Sequence, residues 1–118
     1  MNVIGAGAGG WWKDRPGAQR RLVERIAAEA CVPTLVVLEG RPVEGLEEGE
    51  RGPVRVAWAR RAGRDAADDR IVEEVGLASG PVTVVTADRE LKRRVAGLGA
   101  LVVGPSGLDR AITGDLPP

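Results

Sequence analysis

Hydrophobic and polar positions along this chain alternate between two periods. Leu22, Val23, Ile26, Ala27 and Ala30 recur at helical spacing and predict a helix over about residues 16–31. Asp14 is a candidate N-cap for it, Pro16 fits its first turn, and Pro33 stops it. Thr34-Leu35-Val36-Val37-Leu38 is continuously apolar or β-branched, the pattern of a strand buried on both faces. Residues 43–53, with four Glu and three Gly, read as a solvated loop. Val54-Arg55-Val56-Ala57-Trp58 alternates, as a strand nearer a sheet edge does. A helical pattern follows over about 66–78 with Ile71, Val72, Val75 and Leu77, broken by Gly80-Pro81. Val82 to Thr86 reads as a third strand, Asp88 to Leu98 as a helix, Ala100 to Val103 as a fourth strand and Pro105 to Ile112 as a short last helix. Residues 1–13 are Gly-rich and irregular, and 113–118 form a polar tail. Alternating helices and apolar strands make the class α/β with a parallel sheet, in one domain over residues 1–112.

Composition narrows the chemistry. The 118 residues suffice for one domain, and 17 Lys+Arg balance 17 Asp+Glu, so net charge gives no argument for nonspecific nucleic-acid binding. One cysteine, Cys31, excludes an internal disulfide and a multi-cysteine zinc site; we expect it to pack at a helix end. With no histidine, imidazole acid/base chemistry and His-ligated metals are excluded. No apolar run approaches the ~20 residues of a membrane span and no signal peptide is visible, so a cytoplasmic protein without membrane contact is expected. The 15 Arg against 2 Lys reflect GC-rich coding bias.

Two sets of residues are candidates for a site. Val3-Ile4-Gly5-Ala6-Gly7-Ala8-Gly9-Gly10 fits G-x-G-x-x-G at Gly5, Gly7 and Gly10, which would make a nucleotide-cofactor module. Only Val3 and Ile4 precede the first Gly after Asn2, Trp11 and Trp12 follow the third, and Glu39 lies 29 residues past Gly10 where a ribose-binding acid should lie about 20 past. The second set is acidic. Asp65, Asp68 and Asp69 stand at i, i+3 and i+4 and share a helix face; Asp88 opens the next helix, at the following strand–helix junction. Capping and the helix dipole account for each aspartate alone, at about 0.3–1 kcal/mol each. Together, at the carboxyl edge of a parallel sheet, they point to a shared hard cation such as Mg2+. Arg60, Arg61 and Arg64 could form a basic rim for a polyanion beside it.

Asn2-Val3-Ile4-Gly5, Asp14-Arg15-Pro16-Gly17, Val36-Val37-Leu38-Glu39-Gly40, Ala67-Asp68-Asp69-Arg70-Ile71 and Val84-Val85-Thr86-Ala87-Asp88-Arg89-Glu90-Leu91, in this order, resemble an NYN domain of the YacP-like kind within the PIN-like nuclease superfamily. The resemblance implies a three-layer, Rossmann-like parallel sheet that binds Mg2+ or Mn2+ and cuts RNA. It implies Asp68, Asp69 and Asp88 as catalytic metal ligands with Asp65 close by. Asn2, Arg60, Arg61, Arg64 and Arg89 would meet the substrate. It also implies RNA as partner, ribosome-associated RNA included, and a monomer or weak homodimer. The family's first strand ends in Asp-Gly-x-Asn-Val-Ile, and Met1 stands at the x. The expectation is therefore a sheet lacking its first central strand, a native start upstream of Met1, and weak or absent cleavage by this chain. Glu39 stands where relatives commonly carry Asp. A non-catalytic RNA-binding domain of the same fold is the alternative reading.

Overall fold

The computed structural model describes residues 2–6, 15–60 and 65–114, with the side chains of 2–6, 15 and 16 left undescribed. Six strands form one sheet: β1 (Asn2–Ala6), β2 (Thr34–Leu38), β3 (Gly49–Arg51), β4 (Val54–Trp58), β5 (Thr83–Val85) and β6 (Leu101–Val103), in the order β3-β4-β2-β1-β5-β6. All pairings are parallel except the β3–β4 hairpin. The helices are α1 (Arg15–Glu29), α2 (Ala66–Leu77), α3 (Arg89–Ala96) and α4 (Leu108–Thr113), the last preceded by a 3-10 turn over Pro105–Gly107.

Period-two burial sorts β2 into two faces. Val36 and Leu38 join Val23 and Ile26 of α1 and Ile112 of α4 in one core; Leu35 and Val37 join Ile71 and Val75 of α2 and Leu91 and Val95 of α3 in the other. Every residue of β2 is buried, as its unbroken apolar run requires of a central strand covered by helices on both sides. The result is a three-layer α/β/α sandwich.

The expectation of a missing central strand is corrected. Asn2–Ala6 forms the centre itself, pairing with β2 on one side and β5 on the other. The sequence pattern hid this strand because only Val3 and Ile4 are bulky and apolar; here its backbone pairing on both sides compensates for weak local preference. Gly5 lies inside β1 opposite Val37, not in a loop after a strand, which removes the first position of the dinucleotide motif. Gly7, Gly9, Gly10, Trp11 and Trp12 lie outside the described residues.

The presumed loop 43–53 also carries structure. Val43 and Leu46 are buried, and β3 turns back on β4 through Gly52-Pro53, with Gly52 at φ 60°, the positive value that a two-residue hairpin favours. Two of the three residues of β3 are exposed, so no apolar pattern marked it. Cys31 is exposed rather than packed, two residues beyond α1. α4 extends through Thr113 to Gly114, whose φ of 81° makes it a left-handed cap.

Candidate active site at the carboxyl edge of the sheet

In a parallel sheet each strand delivers the chain to the same edge, and the helix that follows begins there. β4 leads to α2 and β5 to α3, so the α2 start, with Asp65 and Asp68, and the α3 start, with Asp88, lie at this edge. Glu39 follows β2 at the same edge. α2 and α3 pack on the same face of the sheet.

The orientation of α2 is set by ion pairs. Arg70 is buried, and its guanidinium donates to Glu74 Oε2 at 3.1 Å, Glu48 Oε1 at 2.9 Å and the Trp58 carbonyl at 2.9 Å. Glu48 also accepts from the Trp58 N–H at 2.9 Å, the largest cause of a carboxyl held below its ordinary range. Arg55 donates to Glu74 from β4. The network ties the segment before β3, strand β4 and the middle of α2 together.

Within this frame Asp68 is half-buried, and burial first, then repulsion from Asp88 and Asp65, push its carboxyl up to about 6; Glu39 adds a smaller push and Arg94 pulls the other way. No hydrogen bond or ion pair satisfies Asp68 among the described residues. Asp88 caps α3: its Oδ1 accepts from the Leu91 N–H at 2.8 Å, while its second oxygen makes no bond to the described residues. Asp65 takes the N-cap position of α2 without a side-chain capping bond.

Other expected site residues are placed differently. Asp69 is turned to α3, where Arg94 donates to it at 3.1 Å. Among the described residues no three acidic side chains meet closely enough to enclose a metal, so the expected set of Asp68, Asp69 and Asp88 is not assembled. Asn2 opens β1 opposite Thr34 and Thr83, at the amino edge. At about 3.3 Å per residue, it lies some 13 Å of strand from Ala6 at the carboxyl end. The asparagine was expected to follow a strand, and here it begins one. Arg60 is exposed and paired: it holds Glu73 through two bonds, at 2.8 and 3.0 Å, which lowers the Glu73 carboxyl and raises the Arg60 guanidinium. Arg61 and Arg64 lie outside the described residues. Arg89 is exposed at the start of α3, beside Asp88. Glu39, noted in the sequence only for its departure from Asp, joins the acidic group around Asp68.

These carboxylates offer hard oxygen donors that repel one another, the donor chemistry a divalent cation relieves. Among the described residues no helix is long and apolar enough to cross a membrane.

No family model and no curated protein matches the chain. Among solved structures it is similar to Rae1 (YacP) from Bacillus subtilis, crystallised as a tryptophan-to-leucine mutant. The TM-score is 0.64 at 19% identity, over 94% of this chain and 74% of that one. The chain thus shares the α/β fold of Rae1 (YacP).

Proposed function

We propose that this chain is a divalent-metal-dependent endoribonuclease of NYN/PIN-like type, with Asp68 and Asp88 as its central acidic pair. The observation that carries the reading is the Asp68 carboxyl, without a protein partner among the described residues and pushed up to about 6 among Asp88, Asp65 and Glu39. The resemblance of the Ala67–Ile71 and Val84–Leu91 segments to YacP-like NYN domains supports it, as does the fold shared with a YacP protein.

Asp68 and the Asp88 oxygen that makes no bond to the described residues would hold Mg2+ or Mn2+, with Asp65 and Glu39 adding negative charge around them. When bound, such a cation lowers the pKa of a water and offsets charge on the phosphate. Asp88 is held for this by the Leu91 N–H, which fixes its carboxylate plane. Arg94 keeps Asp69 out of the group and draws α3 against α2. Asp68 takes up a proton below about pH 6 and would release it when the cation arrives.

The test is incubation of the chain with single-stranded RNA in Mg2+ or Mn2+. Internal cleavage that EDTA abolishes is expected, slow because two carboxylates aim a metal less firmly than three. RNA left intact with both metals would remove the nuclease reading. It would favour the second reading, an RNA-binding domain of the same fold, for which the engagement of Asp69 by Arg94 speaks.

A further inference from the structure

The basic residues expected to meet the substrate are Arg60, Arg61, Arg64 and Arg89. Of these, Arg89 is unpaired among the described residues, and two further unpaired cations join it there. Arg60 is held by Glu73, Arg93 by Glu90, Arg94 by Asp69 and Arg51 by Glu47. Arg41, Arg89 and Lys92 have neither a carboxylate nor a carbonyl partner on their side chains among the described residues. In a chain whose 17 Lys+Arg and 17 Asp+Glu cancel, three unpaired cations flanking one acidic site form a local imbalance.

We propose that Arg41, Arg89 and Lys92 mark the path of a single RNA strand across the carboxyl edge, with Asp68 and Asp88 between Arg41 and the α3 cations. The proposal deepens the nuclease reading and rests on it for the identity of the polyanion. Arg41 sits in the turn after β2, two residues past Glu39; Arg89 is the first residue of α3, next to Asp88. β1 separates β2 from β5, so the two arginines spring from strands two sheet spacings, or about 10 Å, apart. Lys92 is three residues from Arg89 and shares its side of α3. It stands two residues, or about 200° round the helix, from Arg94, which faces α2. The path therefore runs from the β2 turn over the acidic pair and outward along α3, away from α2. A single row of cations suits one phosphate backbone, each neutralising a phosphate and releasing counterions.

The experiment measures anisotropy of a labelled single-stranded RNA in EDTA over a range of salt concentrations. The full chain is compared with the triple variant Arg41→Gln, Arg89→Gln, Lys92→Gln. The control is Arg25→Gln, which removes one charge from an arginine that pairs with Glu29 and Asp109. Thermal melts confirm that all three proteins fold. The triple variant is expected to bind at least about tenfold more weakly, with a salt slope shallower by about two. Affinity and slope matching the control overturn the path. Polyglutamate competing as well as RNA also overturns it, since the row would then take acidic chains of any kind. Cleavage is scored separately on the full chain in Mn2+: RNA bound through these residues but left uncut sinks the nuclease reading and supports the path.

Discussion

Asp68 is the residue on which the site turns, and its state has a measurable sign. Its folded pKa, about 6, lies above the unfolded value of 3.8, so between those values the folded chain binds the extra proton. Stability from this group is fully present below about pH 4 and is lost as pH rises through about 6. Asp68→Asn should therefore raise the melting temperature at pH 7.5 by roughly 4 °C, about 1 kcal/mol after allowance for solvent screening, and give no gain at pH 4. A variant no more stable than the parent at pH 7.5 would contradict the repulsion. Mn2+ should raise the melting temperature of the parent and leave Asp68→Asn unmoved. At Asp88 structure and charge are separable. Asp88→Ala should cost about 0.5–2 kcal/mol in urea unfolding through loss of the cap to Leu91, whereas Asp88→Asn keeps the cap and should cost little. The i, i+3, i+4 spacing marked Asp65, Asp68 and Asp69 in the sequence. Which one faces Asp88 was not legible there, because Arg94, 25 residues on, decides that Asp69 turns to α3.

At the scale of elements, buried apolar runs were the readable part. Thr34–Leu38 and Val54–Trp58 are strands with the bounds their patterns predict, and α2 ends one residue before its predicted limit. Elements defined by pairing rather than by pattern were not readable: β1, with Gly5 inside it, and β3, with its two exposed residues, form because neighbouring strands take up their backbone groups. The Arg70 network was equally hidden. Arg70 and Glu74 look like an ordinary i, i+4 surface pair, yet both are buried, and the carboxylate of Glu48 from another segment completes the set. Arg70→Met should destabilise the chain by about 3 kcal/mol in urea unfolding, because it leaves Glu74 buried with a weaker set of partners. A loss below about 0.5 kcal/mol would mean the network does not hold α2.

For the whole molecule, zero net charge concealed the arrangement that matters, because charges are sorted by position rather than by excess. Several acids away from the site are paired, Glu73 by Arg60 and Glu74 by Arg55 and Arg70 among them, while Asp65, Asp68 and Glu39 gather at one sheet edge without cation partners among the described residues. Fold and acidic placement together support the proposal that Asp68 and Asp88 carry RNA cleavage. The most direct measurement is the single-turnover cleavage rate of single-stranded RNA in Mn2+ for the chain, Asp68→Asn and Asp88→Asn, each shown by melting to be folded. Each substitution is expected to lower the rate by about 100-fold or more, as loss of a positioned ligand does, while RNA binding in EDTA is retained. Equal rates in all three proteins would contradict it.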